Sequence, residues 1–223
     1  MNIKLFLEAI IKYLLGLVIV SLLLFIPAGI IEYWNAWLFI GLLFIPMFIV
    51  GIILMFKDPE LLRKRLDAKE KEKEQKLVLL LSSIMFISSF IIAGLNFKLK
   101  WIELPNIVVI ISSIVFIVSY ILYGEVLREN SYLSRTIKVD KNMKIIDTGL
   151  YSIVRHPMYL ITILLFLMIP LILNSLISFF IMLIYPIIII IRLLNEEKVL
   201  EKELKEYKDY KKKVKYRLIP FIW

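Results

Sequence analysis

The chain has 223 residues, of which 61% are hydrophobic, and carries 28 Lys and Arg against 19 Asp and Glu for a formal net charge of +9. It contains no cysteine and one histidine, which excludes disulfides and thiolate chemistry and makes any metal site dependent on carboxylates, so no metal is expected. The basic residues cluster at the ends of apolar runs and are interspersed with acids, a placement that suits anionic lipid headgroups rather than nucleic acid.

Lys4 and Lys12 precede the first apolar run, 14–31. Glu8 interrupts the approach and no small-residue cleavage pattern follows, so the expectation is an uncleaved first span rather than a secretory signal. Uncharged runs at 33–56, 77–97 and 104–124 follow, each about long enough to cross a bilayer as a helix. Between the second and third lies the linker 57–76, whose mixed charges read as a solvated, partly helical loop with no clear chemistry.

The last apolar stretch, 157–191, is 35 residues without a formal charge. As one helix it would reach roughly 50 Å, against a hydrocarbon core of about 30 Å. Pro170, Asn174 and Ser175 near its middle predict a turn that makes a short helical hairpin, with both outer ends on one membrane face. The count is then about six membrane segments. Seven glycines and the lack of apolar/polar alternation argue against a β-barrel, so the fold class is an all-α integral membrane protein.

Charge placement orients it. Eight Lys and Arg fall in 57–76, six in 125–155 and ten from Arg192 onward, whereas Lys98 and Lys100 are the only basic residues expected on the other side. The positive-inside bias makes the three basic regions and both termini cytoplasmic. The chain reads as one membrane domain, 1–223, with four helices in 1–124 and the chemistry in 125–223.

Two polar clusters flank the hairpin. Before it, Gly149 permits a sharp turn and Pro157 disfavours helix at His156, so the segment D-T-G-L-Y-S-I-V-R-H-P-M-Y-L is irregular up to the membrane helix. It is either an interfacial loop anchored by Tyr151, Tyr159 and a snorkelling Arg155, or part of a site. After it, Arg192 and Glu196 share one face of a continuing helix, where they can pair with each other or act on a ligand. Farther on, Leu200, Leu204, Tyr207 and Val214 form an apolar stripe among lysines, predicting a C-terminal amphipathic helix on the cytoplasmic membrane surface.

The ordered set G-L-Y-S-I-V-R-H-P-M-Y, hydrophobic hairpin, R-x-x-x-E-E, Y-x-x-Y and R-L-I-P resembles the isoprenylcysteine carboxyl methyltransferase family, which shares its layout with phospholipid N-methyltransferases. The resemblance implies an S-adenosylmethionine-dependent membrane methyltransferase without a Rossmann domain. No two glycines here are spaced for G-x-G-x-x-G. Carried over, the pattern places Met143, Lys144, Ile145, Ile146, Tyr151, His156, Pro157, Met158, Tyr159 and Glu196 around the cofactor. It places Arg192 toward the substrate, with Arg155 and Glu197 in support, and makes Arg192, Glu196 and His156 the catalytic set.

Departures at Met143, Leu150, Ile161 and Leu204-Lys205 mark a prokaryotic-type member, expected in the plasma membrane. The acceptor implied is lipophilic: an isoprenylcysteine-like or other lipid-linked carboxylate for O-methylation, or a phospholipid amine for N-methylation. A nonenzymatic membrane adaptor or transporter is the reading from a different class.

Overall fold

The computed structural model describes residues 3–67, 73–133 and 145–223, all helix and connecting turns with no strand among them. The helices are α1 (Ile3–Ala28), α2 (Trp34–Lys57), α3 (Pro59–Leu66), α4 (Lys73–Leu99), α5 (Asn106–Glu129), α6 (Pro157–Ile172), α7 (Leu176–Met182), α8 (Ile184–Glu203) and α9 (Tyr207–Lys213), with a 3-10 turn at Gly149–Ser152. Five segments are long and apolar enough to cross a bilayer: Ile3–Ala28, Trp34–Lys57, Gln75–Leu99, Asn106–Glu129 and Leu176–Glu203. The remaining apolar helix, α6, has 16 residues and spans about 24 Å.

The hairpin turns where the sequence places it, and its tip is held by polar contacts. Asn174 adopts a left-handed backbone (φ 57°), which asparagine tolerates better than most residues. Its carbonyl accepts from Asn96 Nδ2 at 3.0 Å and its side chain accepts from Leu104 N at 2.6 Å. Tyr33 Oη donates to Leu173 O, and Asn35 Nδ2 donates to Ile172 O at 2.9 Å. These bonds satisfy carbonyls that the end of α6 leaves free and bind the hairpin tip to α2, α4 and the 100–105 loop.

The second arm differs from a simple short helix. Pro186 has no N–H to give to Met182, and the helix breaks at Leu183 into α7 and α8. α8 then continues well past the apolar stretch to Glu203, so Arg192, Glu196 and Glu197 stand on a regular helix rather than on a loop.

Most of the apolar surface of α1 points outward, with Ile11, Leu14, Leu15, Val18 and Leu22 all exposed, as expected of a helix bathed in lipid. The interior is built from Leu24, Tyr33, Phe39, Phe90, Phe116, Leu165 and Ile169 toward one end, and from Met85, Tyr159, Met182, Tyr185 and Leu193 toward the other. α1 and α4 approach closely at Gly94, where an added Cβ would lie 2.6 Å from the carbonyl oxygen of Leu24. Small residues allow such approaches between membrane helices.

The C-terminal stripe is organised differently from one helix lying on the membrane. α8 ends at Leu204 and α9 is seven residues long. Leu200, Tyr207, Tyr210 and Val214 are buried together, with Leu204 and Ile145 packed against them. The break lets the tail fold back over the start of α6, which a continuous helix cannot do.

Gly94→Leu should force α1 and α4 apart and cost about 1–3 kcal/mol or more, because the obstructing atom is backbone and cannot turn away. Thermal unfolding in detergent should show a lower midpoint than for the equivalent change at Gly51, where a Cβ meets nothing within 4 Å.

Candidate active site

The approach to α6 is set by Gly149. Its φ of 49° lies in the left-handed region, and an added Cβ would stand 1.4 Å from Glu129 Oε1. Only glycine fits there. Glu129 also accepts from Leu150 N at 3.2 Å, so the end of α5 holds the 3-10 turn by its backbone. The turn buries Tyr151 against Val126 and Ile161, with Ile146 packed beside them.

Arg155 and His156 follow, and they are buried. Their N–H groups pair with the tail: Arg155 N donates to Tyr216 O and His156 N to Arg217 O, both at 2.9 Å. Pro157 then occupies the first turn of α6, where its missing N–H costs nothing. The local sequence thus places an arginine and a histidine where chain and tail run side by side.

Their side chains converge on Glu197 of α8. Arg155 Nε donates to Glu197 Oε1 at 2.7 Å and Arg217 Nε to Oε2 at 2.9 Å. Tyr207 Oη donates to Oε1 at 3.3 Å, and His156 Nε2 lies 3.4 Å from the same oxygen. The other end of the Arg155 guanidinium gives two bonds from Nη1, to Val214 O and Lys215 O, both at 2.9 Å. With the Arg155 and Glu197 side chains each 4% exposed, this is a buried charge cluster whose partners satisfy both carboxylate oxygens.

A second, more open group lies one residue earlier on α8. Tyr159 Oη donates to Glu196 Oε2 and accepts from Arg192 Nε at 3.1 Å, so the tyrosine bridges the acid and the base. The Tyr159 and His156 rings are stacked, 5.7 Å between centroids. Glu196 and Arg192 are half-buried, in contrast to Glu197. A carboxylate beside two aromatic faces is a fitting environment for a cationic sulfonium donor, and the adjacent guanidinium suits an anionic acceptor.

The structure therefore brings Arg155, His156, Tyr159, Arg192, Glu196 and Glu197 together. Tyr151 is linked more remotely, its carbonyl accepting from Tyr210 Oη at 2.8 Å. Met158 packs between the Tyr159 and Tyr151 clusters, while Ile145 joins the tail cluster. Met143 and Lys144 lie outside the described residues. The Y-x-x-Y and R-L-I-P motifs carry the family resemblance without giving Tyr207 or Arg217 a site role, yet both residues contact Glu197. A tyrosine pair at i and i+3 beside a terminal arginine was the available signal.

Residues 106–207 match the family model described as phospholipid methyltransferase. Over that segment, a little under half of its length, the chain is similar to phospholipid methyltransferases. That family includes isoprenylcysteine carboxyl methyltransferases, and the match indicates a membrane methyltransferase. The methyltransferase family implies S-adenosylmethionine as the methyl donor. A comparison with curated proteins gives no match. The matched segment runs from the first residue of α5 to the first of α9, so it contains both polar groups but stops short of Arg217.

Two predictions follow from this geometry. Glu197→Ala should strand Arg155 in a buried position and cost about 3–5 kcal/mol in thermal or denaturant unfolding, whereas Glu196→Ala, at a half-buried position, should cost much less. Burial raises the hydroxyl pKa of Tyr151, Tyr207 and Tyr210 above the usual value of about 10. The folded state then holds these protons more tightly than the unfolded chain. Their contribution to stability is complete below about pH 10 and falls as pH rises beyond it. An ultraviolet titration should show these tyrosines ionising with unfolding, after the exposed ones.

Proposed function

We propose that this methyltransferase domain uses S-adenosylmethionine to methylate a carboxylate on a lipophilic acceptor, isoprenylcysteine-like or otherwise lipid-linked, at the cytoplasmic face of a prokaryotic plasma membrane. The observation that carries the reading is the division of labour between neighbouring glutamates. Glu197 is consumed by Arg155, Arg217 and Tyr207, while the Tyr159 hydroxyl bridges Glu196 and Arg192 in a more open position.

When bound, S-adenosylmethionine supplies a methyl carbon that is already electrophilic, so the protein's task is to align an acceptor and exclude water. Tyr159 and Glu196 bind the donor side, with Ile146, Tyr151, His156, Pro157 and Met158 shaping the surroundings. Arg192 orients the acceptor carboxylate by charge-assisted hydrogen bonds. A carboxylate is a nucleophile without losing a proton, and a saturated Glu197 is no proton acceptor. The reaction forms one O–C bond and breaks one S–C bond, with the electron pair leaving on sulfur. The four helices of 1–124 act as scaffold, and the hairpin lets a lipid tail enter laterally while the donor arrives from the basic, cytoplasmic side.

The family description favours a second reading, N-methylation of a phospholipid amine. That chemistry needs a base to remove the ammonium proton, a role open to Glu196 once Tyr159 releases it.

Transfer of a labelled methyl group into membrane lipids and prenylcysteine analogues, followed by mild base, separates the two. Release as methanol is the expected outcome, and a base-stable label would give first place to the amine. Glu196→Ala should mainly weaken donor affinity and Arg192→Ala should mainly raise the acceptor KM. Wild-type behaviour in both variants would sink these assignments.

A further inference from the structure

The linker that the sequence reading left without chemistry contributes an arginine to the neighbourhood of the site. α3 is firmly placed. Asp58 caps its start by accepting from Leu61 N at 3.0 Å, Lys12 Nζ binds the carbonyl of Leu66 at 2.7 Å near its end, and Leu62 is buried against Leu5 and Met55. From this support Arg65 reaches across to α5 and α6. Its guanidinium lies over the ring of Tyr123, 5.5 Å from the centroid, and donates to the Tyr123 hydroxyl. Nη1 is 3.8 Å from the sulfur of Met158, the residue beside Tyr159.

All of these partners are uncharged. Among the described residues no carboxylate is within ion-pair distance of Arg65, and the acids nearby on α5 are engaged elsewhere, Glu125 by Arg128 and Glu129 by the backbone of Leu150. A half-buried guanidinium held by an aromatic ring and a thioether has spare N–H donors, and among the described residues it has no counter-charge. Its position is informative. Tyr123 lies six residues before the end of α5 at Glu129, about 9 Å along the helix, so Arg65 meets the last turns of a segment long and apolar enough to cross a bilayer. Beside it, Gly124 has nothing within 4 Å of an added Cβ, which leaves space on α5 for an approaching lipid.

We propose that Arg65, seated on Tyr123 and Met158, binds the phosphate diester of a membrane lipid and so holds a phospholipid next to the methyl-transfer site. The proposal rests on the acceptor side of the site being open to lipid, as argued above. Arg65 lies in front of the segment matched by the family model, whereas its partners Tyr123 and Met158 lie within it.

The test is lipid retention by the full-length protein in native mass spectrometry, with no methyl donor present, so that its outcome is independent of any failure of methyl transfer. Wild type should retain phosphatidylglycerol about tenfold better than diacylglycerol of the same chains, the scale of one charge-assisted contact. Arg65→Gln should bring that ratio close to one, and Arg65→Lys should leave it intermediate. Gly124→Leu, which keeps the arginine and fills the adjacent space, should also lower it, whereas Tyr123→Phe, which keeps the ring, should preserve most of it. An unchanged ratio in Arg65→Gln would overturn the proposal. So would loss of the lipid preference on adding inorganic phosphate, which would make this a free-phosphate site, or a matching fall in S-adenosylmethionine affinity, which would assign the guanidinium to the donor's carboxylate.

Discussion

The carboxylate of Glu197 is the point on which the site depends. It is buried and bonded to two guanidiniums, one buried and one partly exposed, and each ligand comes from a different part of the chain: Arg155 from the turn before α6, Tyr207 from the start of α9 and Arg217 from the tail. Taking such charges out of water is costly, and the arrangement persists because both oxygens are satisfied and the spare donors of Arg155 find backbone carbonyls. Holding the three segments together also fixes His156, next to Arg155, and Tyr159, in the first turn of α6 that follows. Arg217 is itself placed over the ring of Trp223, 5.1 Å from the centroid, and the backbone N–H groups of Arg217, Leu218 and Ile219 all point to the Trp223 carbonyl.

A rigid buried cluster beside a half-open one is a sensible arrangement for group transfer at a membrane. Glu197 and its partners are packed away from solvent, while Glu196 and Arg192, bridged by Tyr159, are half-buried. Adjacent residues on a helix point about 100° apart, so one glutamate can face the tail while its neighbour faces α6. The paired glutamates therefore have different surroundings even though their chemistry is identical.

The hairpin illustrates how membrane physics and local sequence agree. An uncharged run too long for one span must turn, and Asn174 and Ser175 provide backbone that can turn. The bonds that secure the tip were not legible, because Asn96, Tyr33 and Asn35 are distant in sequence and each reads as an ordinary polar residue near a helix end. The C-terminal stripe shows the converse. Its periodicity was visible, but periodicity states only that one face is apolar, and here that face packs on its own chain.

What the sequence by itself determined was the all-helical membrane class, the position of the hairpin turn and the pairing of polar clusters at its two ends. These follow from segment length, charge and backbone preference, which are local properties. Only the tertiary structure decided which glutamate is buried and which is open, that Arg217 and Tyr207 close the cluster, and that Arg65 crosses from the linker to Tyr123. Those outcomes depend on helix rotation and on where the tail folds back, and a difference of one residue on a helix turns a side chain by about 100°.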